Sequence, residues 1–200
     1  MPGDTLMLIV LSDPDLVERE LLGGHLICPR CEGELRPWGH ARRRVLRTAT
    51  GNEVLRPRRA RCANCHSTSV LLADICLCRR VDEVAVIGMA LLEKATGAGH
   101  RTIAARLARP KETVRGWLRR FSSRVVALRE HFRRWAFALD PRLETIPPQG
   151  SAFADALEVI GLCVRAASLW FGPRPVWSWV SAMTGGALLS NTNSPFPTPH

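Results

Sequence analysis

The chain reads Cys28-Pro29-Arg30-Cys31 and, further on, Cys62-Ala63-Asn64-Cys65, and these two stretches decide the fold of its N-terminal part. In each stretch two residues separate the cysteines, so that one tight turn aims both thiolates at the same point. Two such turns complete a tetrahedral shell around one zinc ion and leave no position for water or substrate. The spacing predicts a structural Zn²⁺ site with Cys28, Cys31, Cys62 and Cys65 as its ligands.

The residues around the two pairs predict a zinc ribbon over residues 25–75. Residues 42–47 and 53–61 read as two strands joined by a turn, and residues 67–72 read as a final strand. A segment of this size buries too little apolar area to fold alone, and the metal supplies the missing stability. Cys76 and Cys78 follow the ribbon. They either join the metal site or, as is more common for such cysteines, pack as small buried side chains.

Residues 1–24 are predicted to form a lead-in strand and helix. The apolar run 6–11 is too short for a signal peptide, has no basic residue before it and is followed by Asp13-Pro14-Asp15. No stretch of the sequence has the length and apolar composition of a membrane span. We therefore expect a cytoplasmic, nucleoid-associated protein. In that compartment paired cysteines more often bind metal than form disulfides.

Residues 80–139 carry the pattern of three helices. Apolar side chains recur at three- and four-residue steps up to Ala95, and Gly97-Ala98-Gly99 ends this first helix. A short helix follows over residues 101–108, and Arg109-Pro110 separates it from a third helix that starts near Glu112. Three helices with a tight break before the third outline a helix-turn-helix, whose last helix enters the major groove of DNA.

Two heptad-like seams of apolar residues follow, and both repeat steps of four and three residues. The members are Phe121, Val125, Leu128, Phe132, Trp135 and Leu139, and then Phe153, Leu157, Ile160, Val164, Ala167 and Phe171. Their equal length and the short Pro-containing loop between them predict an antiparallel helical hairpin completed by residues 151–182, or else a homodimer through the seams. Residues 183–200 are predicted to be a disordered tail. The predicted fold class is thus mainly α with a small β zinc ribbon.

The charge of the chain points to a polyanionic partner. The net charge is +10, and Lys94 and Lys111 are the only lysines, so arginine supplies nearly all of the positive charge. The arginines cluster in the predicted ribbon hairpin and helix-turn-helix with few acids between them, which favours a nucleic-acid surface over an ordinary solvated face. The residues predicted to contact double-stranded DNA are Arg42, Arg43, Arg44, Arg101, Lys111, Thr113, Arg115, Arg119 and Arg120.

The sequence contains no recognisable catalytic constellation. Asp140, Glu144, Asp155 and Glu158 come nearest to a carboxylate cluster, but Asp140 reads as a helix stop and the last two as a solvent-facing helix flank. There is neither a glycine-rich phosphate loop nor a supported nucleophile–base pair. We therefore expect a protein that is not an enzyme.

Several motifs resemble those of insertion-sequence transposases and of related actinobacterial helix-turn-helix proteins of uncharacterised function. The cysteine pairs, together with Gly33, Trp38-Gly39 and the arginine-rich hairpin, are similar to the zinc-ribbon head of those proteins. Gly99-His-Arg-x-Ile-Ala104 and Thr113-Val-Arg-Gly-Trp-Leu118 are similar to the helix-turn-helix that follows it. The resemblance covers residues 25–140. In such transposases a ribonuclease-H-like catalytic domain comes next, whereas the residues after position 140 read only as helix and tail.

Together these observations predict a non-catalytic, sequence-specific DNA-binding protein, transposase-related or a transcriptional regulator, in which a zinc ribbon supports a helix-turn-helix. A zinc-ribbon protein-interaction module that docks on a partner protein is the alternative. RNA binding by the ribbon ranks third, because no aromatic stacking platform is recognisable on its predicted strands.

Overall fold

The computed structural model describes residues 6–190 and Phe196, and the chain divides into two compact units with the boundary between Glu83 and Val84. We call them the N-terminal unit and the C-terminal unit. Of the described residues, 46% are helical and 18% lie in strands. The fold class is therefore mixed, with helices and a small sheet, where the sequence predicted a mainly α chain. None of the described helices combines the length and the apolar character that crossing a membrane requires.

The N-terminal unit contains β1 (Leu6–Val10), α1 (Pro14–Leu22), β2 (Leu35–His40), β3 (Arg44–Arg47), β4 (Asn52–Leu55), β5 (Arg58–Cys62) and β6 (Thr68–Ala73). Four strands form one sheet in the order β1-β6-β5-β2, in which only the β1–β6 pair is parallel. The predicted lead-in strand is thus an edge of the same sheet that carries Cys62. The following helix begins after Asp13, whose carboxylate accepts hydrogen bonds from the N–H groups of Asp15 and Leu16.

The predicted strand over residues 53–61 is wrong, because it is two strands that belong to different sheets. β4 pairs with β3 in a separate two-stranded sheet, whereas β5 pairs with β2 and β6. Pro57 lies between them and has no N–H to donate, so a single ladder cannot continue through it. The sequence reading missed β2, since Pro37 and Gly39 both disfavour a strand. It is an edge strand whose pairing with β5 is irregular between Pro37 and His40.

Two small hydrophobic cores lie on opposite faces of the four-stranded sheet. Neighbouring residues of a strand point to opposite faces, and Leu71 and Leu72 of β6 enter different cores. Leu71 packs with Val17 and Leu21 of α1. Leu72 packs with Leu46 of β3, so the β3–β4 hairpin covers part of the face opposite α1.

The C-terminal unit contains α2 (Val84–Ala95), α3 (His100–Arg106), α4 (Lys111–Leu139), α5 (Ala152–Phe171) and α6 (Val176–Met183). The three helices expected for a helix-turn-helix are present, close to their predicted bounds. They bury Ile87, Leu91, Ile103, Val114 and Leu118. Residues 107–110 make the tight break before α4.

α4 and α5 pack side by side in parallel, so the predicted antiparallel hairpin is wrong. Phe153 near the start of α5 contacts Phe121, about three turns into α4, with 4.7 Å between the ring centroids. Near the end of α5, the indole N–H of Trp170 donates to the carbonyl oxygen of Leu139 at the end of α4, at 2.7 Å. The connection over residues 140–151 therefore runs back along α4. An extended chain of this length reaches roughly 40 Å, more than the ~27 Å of helix it must span.

The two seams pack against each other within one chain. Phe121, Leu128 and Phe132 of α4 and Ile160, Val164 and Ala167 of α5 are buried, although Phe171, the last predicted seam residue, is 64% exposed. Side chains that are buried within the chain are not available to a second copy. A homodimer would therefore have to use another surface.

The prediction of a disordered tail from residue 183 onward is wrong over residues 183–190. Thr184, Leu188 and Leu189 are buried, and the guanidinium of Arg124 donates to the carbonyl oxygen of Ala187 at 2.7 Å. The Gly- and Ser-rich composition after residue 183 suggested disorder, although the segment also contains the apolar residues Leu188 and Leu189, which are buried. Phe196 is also buried, and residues 191–195 and 197–200 lie outside the described residues.

Candidate metal centre and nucleic-acid surfaces

The four predicted cysteine ligands come together at one end of the N-terminal unit. Their sulfur atoms all lie within 4.8 Å of one another, with 3.7 Å between those of Cys28 and Cys65 and 3.5 Å between those of Cys31 and Cys62. None of the four is in a disulfide bond, since the distances between the sulfurs exclude one. Four cysteine sulfurs at this spacing can hold one metal ion.

Each cysteine pair sits in the same kind of turn. The residue after the second cysteine, Glu32 in one turn and His66 in the other, has a positive φ of 60° and 58° respectively. Backbone hydrogen bonds close both turns: Cys28 N–H donates to the carbonyl of Gly33, and Cys62 N–H to that of Ser67. The local backbone therefore aims the two sulfurs of each pair in the same direction.

Gly33 lets the two turns approach each other closely. A Cβ atom at this position would lie 2.6 Å from the side-chain nitrogen of Asn64, which belongs to the other turn. Any larger residue would push Asn64, and with it the second cysteine pair, away from the first. The glycine after the first pair thus contributes to the distance between the four sulfurs.

Ser67 ties the cysteines of different pairs together. Its hydroxyl lies 3.0 Å from the sulfur of Cys65 and 3.6 Å from that of Cys28. Hydrogen bonding by the side chain and backbone of Ser67 lowers the pKa of Cys65 to about 6. A cysteine with such a pKa is a thiolate at neutral pH, and the thiolate is the form that binds metals.

The remaining cysteines lie outside this cluster. Cys76 is fully buried beside Leu46 and Leu72, and burial raises its pKa to about 11. Cys78 is half-buried, and burial raises its pKa as well. Both lie in the turns after β6 rather than on a strand. Cys163 is buried in the C-terminal unit with its sulfur 3.8 Å from that of Met183. The structure thus places all three as packing residues.

The predicted DNA contacts of the C-terminal unit lie around the start of α4. Lys111, Arg115 and Arg119 are exposed and follow one another at four-residue steps, so they form one row along the helix. Arg101 is exposed on α3, while Thr113 and Arg120 are half-buried. Glu112 pairs with Arg115 at 3.6 Å in an exposed position, where such a pair contributes little.

Of the three predicted DNA contacts in the N-terminal unit, two are exposed and one forms a hydrogen bond within the unit. Arg42 and Arg43 are exposed in the segment before β3, whereas the guanidinium of Arg44 donates to the backbone carbonyl of Arg80. Two further arginines of this part of the chain form ion pairs that stabilise the N-terminal unit. Arg47 pairs with the buried carboxylate of Asp82 at 2.6 Å, and Arg58 holds both carboxylate oxygens of Glu18 at 2.7 and 2.9 Å.

The structure also exposes aromatic and aliphatic side chains that the sequence does not predict to be exposed. Trp38 on β2 is 50% exposed and the guanidinium of Arg61 stacks over its ring. In the C-terminal unit, Leu169, Trp170 and Phe171 are exposed together at the end of α5. The exposure of Trp38 was not predicted because the strand β2 was not predicted. The exposure of residues 169–171 was not predicted because the regular apolar spacing of α5 indicated a buried face.

Comparisons of the chain with protein-family models, with curated proteins and with solved structures give no match. The similarity to the recognition region of insertion-sequence transposases therefore remains a prediction from the motifs.

Proposed function

We propose that this chain is a non-catalytic, sequence-specific DNA-binding protein whose C-terminal unit binds the duplex through α3 and the start of α4. The observation that carries this proposal is the row formed by Lys111, Arg115 and Arg119 on the exposed side of α4. Val114, Trp117 and Leu118 of the same turns are buried beside and behind this row. One face thus anchors the helix, and the other presents cations at the spacing of helical turns.

The position of this row fits recognition in the major groove. Residues in the first turns of the last helix of a helix-turn-helix reach base edges, and arginine to guanine is the most common specific contact. Arg101 and Arg109 line an open hollow together with Lys111 between α3 and the start of α4. We expect these side chains to hold the phosphates beside the groove, while Arg115 and Arg119 read bases.

The positive charge of α3 and of the first turns of α4 favours an anionic partner. Between His100 and Arg120 the only acidic residue in the sequence is Glu112. An ordinary solvated helix surface mixes both signs. A segment with so few acids attracts the phosphate backbone over a distance and binds it with strong salt dependence.

We propose that the four-cysteine site holds a structural Zn²⁺ and that the N-terminal unit is a zinc ribbon. With Zn–S bonds of about 2.3 Å, the sulfurs of a regular tetrahedron lie about 3.8 Å apart. The distances of 3.5 and 3.7 Å are close to this value. Four thiolates leave no open position for substrate, so the ion would hold the two turns together and catalyse nothing.

The test is to select binding sequences from random duplex DNA with the metal-loaded full chain and then to measure affinity against salt. We expect one enriched sequence and an affinity that falls steeply as salt rises. Arg115→Gln and Arg119→Gln should each relax base preference at one position of the enriched sequence. Arg165→Gln is the matched control, because Arg165 is an equally exposed arginine on α5. No enrichment, or equal effects of all three variants, would contradict the proposal.

A protein-docking role is the second candidate, and a specific observation favours it. Leu169, Trp170 and Phe171 are 87%, 69% and 64% exposed, and three consecutive large apolar residues are rarely left in water. If the chain ignored duplex DNA and instead bound one stable partner that Leu169→Ser released, docking would replace DNA binding as the function.

A further inference from the structure

The face of the four-stranded sheet opposite α1 carries basic side chains beyond the β3–β4 hairpin. Arg36 of β2 is the register partner of Arg61 of β5, which in turn pairs with Thr68 of β6. The adjacent register pair, Leu35 with Cys62, points toward α1 and is buried in its core. Arg36 and Arg61 therefore point away from α1, and Arg59, two residues from Arg61 on β5, lies on the same face.

An indole lies among these arginines. The Cζ atom of Arg61 is 4.8 Å from the centroid of the Trp38 ring, so that the guanidinium covers one side of the indole. Such a stack often serves only to shield an aromatic side chain. Here, however, half of the Trp38 surface stays accessible. A flat group can therefore still stack on the free part of this pair.

The charge on this face is positive. Arg36 has an exposed acidic neighbour, Glu34, at 3.4 Å, and both side chains are largely in solvent, so the pair is weak. The guanidinium of Arg59 lies 3.4 Å from the hydroxyl of Thr68, and among the described residues no carboxylate forms an ion pair with it. Arg36, Arg59 and Arg61 thus place three cations on the same face of the sheet as one accessible indole.

We propose that this face, defined by Arg36, Trp38, Arg59 and Arg61, binds single-stranded nucleic acid. An unpaired base stacks on an aromatic ring or on an arginine plane, and the neighbouring cations hold its phosphates. The bases of an intact duplex are stacked on each other and cannot reach the plane of an indole. The ligand is therefore an unpaired strand, such as a melted end or a loop. This proposal stands on the N-terminal unit alone and is independent of duplex binding by α4.

The exposed Trp38 ring bears on RNA binding, which the sequence favoured less than the other two functions. From the sequence, RNA binding by the ribbon ranks third, because no aromatic platform is recognisable on the predicted strands. Trp38 lies on β2, which the sequence reading had missed, and its Arg61 partner lies on the neighbouring strand. RNA and single-stranded DNA share the chemistry that this face recognises, so both belong in the test.

The experiment measures the affinity of the metal-loaded full chain for labelled single-stranded oligonucleotides of thymidine, for the same length of uridine RNA and for a blunt duplex. We expect single strands to bind, and Trp38→Ala to weaken that binding about 5- to 150-fold. Arg36→Gln should lower the salt slope for single strands by about 0.7. Both variants should leave duplex binding nearly unchanged. The higher of the two affinities, for the RNA or for the single-stranded DNA, shows which of them this face prefers.

Trp170→Ala is the matched control, since Trp170 is an exposed tryptophan of the C-terminal unit. It should leave the affinity for single strands as it is. Trp38→Phe keeps an aromatic ring and should retain most of the single-strand binding, which distinguishes a loss of stacking from a loss of folding. The amount of bound metal in each variant shows whether the N-terminal unit is folded. Absence of single-strand binding would overturn the proposal. So would single-strand binding that Arg115→Gln and Arg119→Gln abolish while Trp38→Ala does not. Neither result bears on duplex binding by α4.

Discussion

The ring of Phe153 packs against the ring of Phe121, with 4.7 Å between their centroids and a tilt of 54°. Phe153 lies in the first turn of α5 and Phe121 about three turns into α4, while Trp170 near the end of α5 reaches the last residue of α4, so the two helices run in the same direction. The connection between them crosses back along α4 instead of turning tightly. The C-terminal unit thus buries both apolar seams within one chain.

A double-mutant cycle on Phe121 and Phe153 tests this arrangement. We expect Phe121→Leu and Phe153→Leu to couple by about 0.5–1.5 kcal/mol in the free energy of unfolding, because the rings contact each other. The control cycle pairs Phe121 with Phe171, which is exposed and lies at the other end of α5. That pair should show no coupling, whereas an antiparallel hairpin would reverse the two results.

Replacing one cysteine of the cluster should remove the metal. We expect native mass spectrometry to find one zinc ion per chain in the wild type and none in Cys31→Ser, with loss of strand signal in the N-terminal unit because binding and folding are coupled. Cys78→Ser should keep the ion, since Cys78 lies outside the cluster. Retention of zinc by Cys31→Ser, or its loss from Cys78→Ser, would show that the ligand set is different.

A methyl group at Gly88 should destabilise the C-terminal unit. A Cβ atom there would lie 1.9 Å from the ring of Trp177, which packs directly on the α2 backbone. Gly88→Ala is expected to cost about 1–3 kcal/mol by overpacking. The control is Gly161→Ala on α5, where the nearest atom is the flexible end of Arg165 at 3.5 Å. This change should be neutral or stabilise the helix by up to about 1 kcal/mol. Similar costs for the two changes in denaturant titrations would argue against the α2–α6 packing.

His131 should make the C-terminal unit sensitive to mild acid. The side chain is buried, with Nε2 at 2.9 Å from the carbonyl oxygen of Met183, and burial lowers its pKa below the ordinary 6.5. The unfolded chain therefore takes up a proton at a higher pH than the folded chain does. Stability is complete above pH 6.5 and is lost as the pH falls from there through the lowered pKa of the folded state.

The measurement compares thermal unfolding at pH 7.5 and pH 5.5 by tryptophan fluorescence. This signal reports the C-terminal unit, because every tryptophan except Trp38 lies there. His131→Gln keeps a donor for the Met183 carbonyl and cannot take up a proton, so it should flatten the difference between the two pH values. An unchanged difference in the variant would assign the acid sensitivity to other groups.

The local features of this chain were predictable because they depend on neighbouring residues. The two cysteine pairs share one turn geometry, so their spacing alone indicated a metal cluster. The helices from α2 to α5 follow the apolar period of their own segments. Where a residue had to be placed by contacts with a distant segment, the sequence reading failed. The sequence prediction runs one strand through Pro57 and places no strand over Pro37 and Gly39, so it misses the break between β4 and β5 and the strand β2.

By itself the sequence determined the four-cysteine cluster, the helices and the concentration of positive charge, since spacing, periodicity and composition are properties of the chain. Only the tertiary structure decided that α4 and α5 lie parallel, because either direction buries the same apolar seams and the length of the connection permits both. Tertiary structure also decided which arginines remain for a ligand. Arg47 and Arg58 are held by Asp82 and Glu18, whereas Arg36 and Arg61 flank an exposed indole. A charge count cannot distinguish these roles, because each depends on a partner that folding brings from elsewhere in the chain.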